Sequence, residues 1–367
     1  MRVAFLDSLY PQVARQVYGA TADLADQPWH AQRDRLLDAR FGCWDSYAAA
    51  CRYHGAESEE ILLGVPALTA AMERDHAWDA VCADAIVVMR VPTSVDAGDV
   101  QGFRSRGAKA VVAMVSSEAP SDDQLRAYDL VVTAFPHYAR AMKERGLRVE
   151  YLPLAFDPRR LGLAVDGSGT ESDAFMAGAA RPWAARTFPA TFVGGLGIAR
   201  HWQAGQHAVC AVAEQVPEFR WWGYQGPDKI PLPLVNSWQG EAWGDDYFGV
   251  LGASKVALNR HGEVHTAPRG DGTGRKWYTC NMRTFEAPGM GAVLVTETSA
   301  NLAALYTPWE ECVPFGNPRE AALNVRWLLD HDDRAQAIAA AGQRRTLASH
   351  TYRHRCAILL DLLEALA

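Results

Sequence analysis

The feature that most constrains the fold is a set of short, continuously apolar runs: "AIVVM" (85–89), "AVVAMV" (110–115) and "DLVVT" (129–133). A strand wetted on one face alternates apolar and polar residues. A strand that is apolar throughout is covered on both faces, as in parallel sheets flanked by helices. Val3–Leu6 precedes these runs, a polar, helix-rich stretch extends to about Gly55, and "GLRVEYLPLAFDP" (146–158) follows. Together they read as one α/β unit.

A second series of the same kind follows: "ATFVGG" (190–195), "FRWWGY" (219–224), "KVALN" (255–259), "AVLVTE" (292–297) and "CVPF" (312–315). Ala321, Val325, Leu328 and Leu329 lie on one face of a helix, as do Cys356, Leu359, Leu360 and Leu363 in the tail. Between the two series, 161–188 is rich in Gly, Ala and small polar residues and shows no sustained period, so it reads as a linker. At 367 residues the chain is long for one core and comfortable for two. The expected units are 1–160 and 189–345, with 346–367 a helix returning toward the first.

Composition narrows the partners. A net charge of −7 argues against nucleic acid, which demands a basic face. The opening "MRVAFLDSLYP" has too short an apolar run for a signal peptide, and no stretch reaches membrane-spanning length. Seven scattered cysteines, never spaced CxxC, support neither a zinc site nor a disulfide framework. Reduced thiols and a cytoplasmic location are the expectation.

Open parallel sheets bind ligands beyond the carboxyl ends of their strands, so polar residues placed there matter most. Gly194 and Gly195 follow the strand at 190–193, with Arg200 and His201 at a helix start beyond. Glycines there expose backbone N–H groups, and a helix start offers a positive dipole end; a plain turn is the alternative. Asn259, Arg260 and His261 emerge together at the end of the candidate strand 255–259, as ligand contacts or as a polar loop. The basic, glycine-rich "TAPRGDGTGRKWYTC" (266–280) lacks the GK[ST] ending of a phosphate-binding P-loop, and 265–276 reads as a mobile flap.

"NMRTFEAPGMG" (281–291) reads as a helix carrying Asn281, Arg283 and Glu286, broken by Pro288 and Gly289. Two readings stand. In one, the planar fork of Arg283 suits phosphate oxygens and Glu286 accepts both hydroxyls of a ribose diol. In the other, the two side chains, three residues apart, pair only with each other. Thr296, Glu297 and Asn301 fall on the same rim. In the first half, Ser116 and Ser117 end a strand, while Trp29, Trp44 and Tyr47 offer rings either to a bound acceptor or to the core.

The run "NMRTFEAPGMGAVLVTE", the later asparagine-leucine pair (301–302) and the tail "AGQRRTLASHTYRHR" resemble the spore-maturation-type (CgeB-like) glycosyltransferases. "FVGG", "GEAWG" and "LNRH" also fit that family, as do "YDLVVTAFPHY", "YLPLAFDP" and "FLDSLYPQV" in the first half. The resemblance implies a GT-B architecture: α/β, two facing Rossmann-like domains with parallel sheets and a cleft between them, the second binding a nucleotide-sugar donor. It implies that Glu286 holds the ribose, that Gly194, Gly195, Arg200 and His201 lie by the diphosphate, and that Asn259, His261 and Arg283 line the donor pocket. Retaining relatives carry a second glutamate where this chain has Tyr278, so retention of configuration is not inferred.

Sugar transfer needs a neutralised leaving diphosphate and a base for the acceptor proton. Asp122–Asp123 and Asp245–Asp246 read as solvated loop residues rather than a metal-binding DxD, so a metal-independent transferase with no cofactor beyond its donor is expected. Asp7, directly after the first strand where inverting enzymes of this fold often keep a base, and His137 are the candidates for proton removal; a turn or helix-capping role is the alternative for each. The acceptor is a glycan, a protein or a small natural product. An epimerase of the same fold, acting on its donor without an acceptor, and a donor-binding protein without turnover are the other functional readings.

Overall fold

The computed structural model describes residues 1–43, 45–77, 83–89, 95–116, 119–162, 181–196, 200–224, 230–261, 278 and 281–367, the side chains of 200–205 excepted. They divide into two compact units, Met1–Pro153 with Tyr352–Ala367, and Leu154–Thr351. Trp44, Ser117, most of the segment read as a linker, and the segment read as a flap lie outside the described residues.

The first unit is built on a parallel six-stranded sheet in the order β2-β1-β3-β4-β5-β6. The strands are β1 (Arg2–Ser8), β2 (Glu57–Leu63), β3 (Ala85–Val88), β4 (Ala110–Val115), β5 (Leu130–Thr133) and β6 (Val149–Tyr151). Every residue of β3, β4 and β5 is buried, which is what their unbroken apolar runs require. β2 was not anticipated. Its sequence "ESEEILL" begins with charges because it is an edge strand with β1 as its only partner, and Glu57 accepts from Arg2 of that neighbour.

The helices of this unit are α1 (Pro11–Ala20), α2 (Trp29–Leu37), α3 (Ser46–Tyr53), α4 (Pro66–Arg74), α5 (Ala97–Ser105), α6 (Asp122–Leu125) and α7 (Pro136–Glu144). Asp96 starts α5 and Ser121 starts α6, each through a capping box. Asp122 and Asp123 therefore do not lie in a loop. They fill the first turn of α6, where carboxylates meet the positive end of the helix, and Asp122 is paired with Arg145 at 2.8 Å.

The second unit carries a parallel sheet in the order β11-β10-β9-β7-β8. Its strands are β7 (Phe188–Val193), β8 (Phe219–Trp222), β9 (Ser254–Asn259), β10 (Val293–Glu297) and β11 (Val313–Phe315). Counted from its own first strand, this sheet repeats the wiring of the other: the second strand lies on one side of the first, and the third on the opposite side. Alternate residues of its strands feed two cores. Phe192, Trp221, Val256, Leu258, Val293 and Val295 enter one, while Val193, Trp222, Ala257 and Leu294 enter the other with Phe156 and Phe285.

Its helices are α8 (Arg200–Gln215), α9 (Gly244–Gly252), α10 (Arg283–Gly289), α11 (Leu302–Leu305), α12 (Pro318–Asp330) and α13 (Asp332–Ser349). Asp245 and Asp246 likewise sit not in a loop but in the first turn of α9. Pro288 lies inside α10, which ends one residue later at Gly289, as suits a residue that gives no N–H to the helical ladder. The final helix, α14 (Tyr352–Glu364), belongs to the first unit. There the Tyr352 ring meets Tyr47 edge-on at 4.8 Å, and Cys356 Sγ donates to the Tyr47 carbonyl at 3.1 Å. Among the described residues no helix is long and apolar enough to cross a membrane.

Candidate functional site

In an open parallel sheet the ligand crevice opens where successive connections leave in opposite directions. In the second unit that point lies between β7 and β9, which pair directly. Gly194 and Gly195 follow β7, Asn259 ends β9 with Arg260 and His261 beyond it, and Thr296 and Glu297 end the neighbouring β10. α10 starts beside them with Arg283.

The floor of the site is a polar network. Asn259 is fully buried. Its amide nitrogen donates to Asn281 Oδ1, Thr284 Oγ1 and Thr296 Oγ1 at 3.1–3.2 Å, and its carbonyl oxygen accepts from Asn281 Nδ2 at 2.9 Å and Arg283 Nη1 at 3.2 Å. Asn281 stands ahead of α10 rather than on it, and its Oδ1 accepts from the Thr284 N–H and hydroxyl. An asparagine competes with the helical backbone for hydrogen bonds and so settles before a first turn more readily than inside it.

Arg283 lies with its guanidinium carbon 4.8 Å from the centre of the Phe192 ring, and its buried Nε has no hydrogen-bond partner. A Cβ on Gly194 would fall 2.4 Å from Arg283 Nη2, and one on Gly195 would fall 2.3 Å from the Tyr224 ring. The two glycines are needed for close approach: an arginine and an aromatic ring rest on the backbone that follows β7. Tyr224 is itself stacked on Trp243, 5.5 Å between centres.

Arg260 is almost wholly buried and donates to the Gly195 carbonyl at 2.9 Å. Burial pulls its pKa down to about 10, and the positive charge of Arg283 adds to the effect. Arg260, whose charge is opposed by burial and by Arg283, and Arg283, whose Nε has no hydrogen-bond partner, form a site suited to an anion. His261 and Glu297 are engaged with each other: the His261 N–H donates to Glu297 Oε2 at 2.5 Å, and Nδ1 lies 3.1 Å from the same oxygen.

Glu286, one turn beyond Arg283, is not paired with it. Among the described residues its hydrogen-bond partner is Tyr247 of α9, whose hydroxyl donates to Oε2 at 2.5 Å. Burial raises the carboxyl pKa to about 7, opposed by the Tyr247 hydrogen bond and the charges of Arg283 and Arg160. Of the rim residues, Thr296 is buried and serves Asn259. Asn301 sits before α11 and its side-chain oxygen accepts from the Ser299 hydroxyl at 3.3 Å. The backbone of Arg200 and His201 opens α8; their side chains lie outside the described residues.

In the first unit, Asp7 lies within β1 rather than after it, paired in register with Leu62, and its Oδ1 accepts from the Ser8 N–H at 2.8 Å. The strand runs past it because β2 extends the ladder to Ser8. His137 is buried in the first turn of α7, just beyond β5, and burial lowers its pKa to about 4. Ser116 directly follows β4. Trp29 opens α2 under the guanidinium of Arg33, at 4.9 Å, and packs against the core; Tyr47 is core, between Phe5 and Tyr352.

Comparison with known proteins adds a family. Residues 185–361 match the model described as glycosyl transferase-like. No curated protein matches the chain. Among solved structures it is similar to sucrose-phosphate synthase from Thermosynechococcus elongatus, at 12% identity and a TM-score of 0.58 over all of this chain and 99% of that one. It is similar to HepE of Anabaena, solved with UDP and glucose, at 14% identity and 0.55 over the whole of both chains. A glycosyltransferase from Rickettsia africae aligns at 10% identity and 0.56, over all of this chain and 98% of that one. The chain has the GT-B fold of those structures, and its residues 185–361 match a glycosyl transferase-like family.

The polar network lies inside the matched region, and Gly194, Gly195, Asn259, Asn281, Arg283 and Thr296 meet at one switch point. Sequence reasoning offers Arg260, an arginine directly after an apolar strand, as a possible ligand contact but misses Tyr224 and Tyr247. For the tyrosines no signal existed, because each meets its partner only through the fold.

Proposed function

We propose that the protein transfers a glycosyl group from a nucleoside-diphosphate sugar, with Arg260, Arg283 and the backbone at Gly194–Gly195 receiving the diphosphate and Glu286 the ribose. The observation that carries this reading is the Arg260–Arg283 pair over a glycine backbone at the β7/β9 switch point, with an Arg283 nitrogen left without a partner. The uridine form is favoured because HepE, of like fold, was solved with UDP.

In the reaction, an acceptor oxygen bonds to the anomeric carbon as the bond from that carbon to the diphosphate oxygen breaks. The electron pair stays on the diphosphate, whose growing charge the two arginines offset; this is the role a metal ion fills in other transferases, and the reason we read this one as metal-independent. The acceptor proton passes to a base that we assign to the first unit, at Asp7 or His137. A neutral imidazole, which burial of His137 favours, can accept a proton at pH 7.

Thermal-shift measurements with UDP, GDP, dTDP and CDP, followed by calorimetric titration of UDP-glucose, test the reading. A ligand that binds only the folded state raises its melting temperature. A rise with one nucleotide, lost in Arg283→Ala, is expected. No rise with any of the four would sink it, and activity lost in EDTA and restored by manganese would sink its metal-independent part.

A further inference from the structure

Tyr247 and Glu286 are 39 residues apart and meet side chain to side chain inside the second unit. Tyr247 stands in the first turns of α9 with its ring edge-on to Phe248, 5.0 Å between centres. Its hydroxyl takes Oε2 of Glu286, while among the described residues Oε1 has no hydrogen-bond partner and is not sealed from solvent. The carboxyl is thus held by one oxygen and presents the other. Glu286 is 5% exposed, so little water is available to do the same work.

Resting on the donor reading above, we infer that Tyr247 is the positioning residue for the donor's ribose: its hydroxyl anchors one oxygen of Glu286 so that the other faces the sugar hydroxyls, and it keeps the carboxyl ionised when the donor binds. An ionised carboxylate accepts from two hydroxyls, whereas a carboxylic acid spends one oxygen as a donor. The charged and titratable groups that face Glu286 are few: Tyr247 from α9, Arg283 from its own helix, and Arg160 from the 3-10 turn Pro158–Leu161. Arg283 and Arg160 act as point charges. Among the described residues Tyr247 alone gives a directed hydrogen bond, and a hydrogen bond to the charged form is what a tyrosine-to-phenylalanine change removes without altering shape.

UDP-glucose titrated calorimetrically from pH 5.5 to 9 tests this, because its diphosphate has no proton to lose in that range. Wild-type affinity is expected to rise about tenfold between pH 6 and 8 as Glu286 ionises. In Tyr247→Phe the rise moves to higher pH, and affinity at pH 7 falls several-fold. Glu286→Gln shows weak, flat binding. A Tyr247→Phe profile that overlays the wild type overturns the inference alone. Wild-type protein that binds no UDP-glucose at any pH, or an Arg283→Ala variant that binds it normally, overturns the donor reading beneath it. Should Tyr247→Phe fail to fold, Tyr247→Met read against the same profile serves, because it too removes the hydroxyl.

Discussion

The side-chain amides of Asn259 and Asn281 hydrogen-bond to each other in both directions, at 3.1 and 2.9 Å, at the end of β9. One asparagine thereby ties the strand end to the segment that launches α10, and its oxygen also steadies Arg283. Asn259→Ala leaves Thr284, Thr296, Asn281 and Arg283 each short of a partner in a buried setting. We expect it to cost about 2–4 kcal/mol, measured by urea unfolding. A loss below about 0.5 kcal/mol would contradict the network's structural role.

Gly194→Ala strains the backbone as well as the site. Gly194 has φ +153°, a conformation that L side chains rarely adopt, so some stability is lost, and the added methyl also meets the far end of the Arg283 side chain. The guanidinium is displaced from the ligand-facing backbone. Affinity for UDP-glucose is expected to drop by about tenfold or more, ~1.4 kcal/mol, in calorimetry. Full affinity in this variant would show that the arginine's place over Gly194 is immaterial.

Glu286 should destabilise the unliganded protein at high pH. Its pKa rises from 4.5 to about 7 on folding, so the folded state binds the extra proton. The resulting stability is fully present below pH 4.5 and lost as pH climbs through about 7. Glu286→Gln, which cannot ionise, should match the wild type near pH 5 and exceed it by about 2–3 kcal/mol at pH 8.5. Denaturant melts at the two pH values decide the matter; equal stability at both would mean that the carboxyl is not held in a low-dielectric site.

His137 works with the opposite sign. Folding lowers its pKa from 6.5 to about 4, so the stability it carries is present above pH 6.5 and disappears as pH falls through about 4. Melting temperatures from pH 7 to 4 should decline less in His137→Gln than in the wild type. If His137 is the base, kcat/KM of the wild type shows no inflection near 6.5. A pronounced break there would assign the proton transfer elsewhere.

Much of this architecture was readable in one dimension. The all-apolar runs at 85–89, 110–115 and 292–297 announce strands covered on both faces, and β3, β4 and β10 are those strands. Arg283 and Glu286 were visible as charges at the mouth of a strand. β2 was hidden because an edge strand needs burial on fewer sides, and its leading "ESEE" mimics a surface helix. Asp122 and Asp245 were misjudged for a related reason: two acidic residues in a row look solvated whether they occupy a loop or the first turn of a helix.

Apolar runs are enough to say which segments become buried strands, because covering both faces of a sheet is a local demand on side-chain type. The glycines after β7, where a side chain has no room, are equally plain. What the charges do depends on the fold. Arg283 and Glu286, three apart, have the spacing of an ion pair, yet Arg283 turns to Asn259 and Phe192 while Glu286 turns to Tyr247. Partners 24 and 39 residues away win because the sheet brings them within hydrogen-bonding distance inside a dry interior, where a directed, desolvated bond outweighs the weak pairing available along a helix surface.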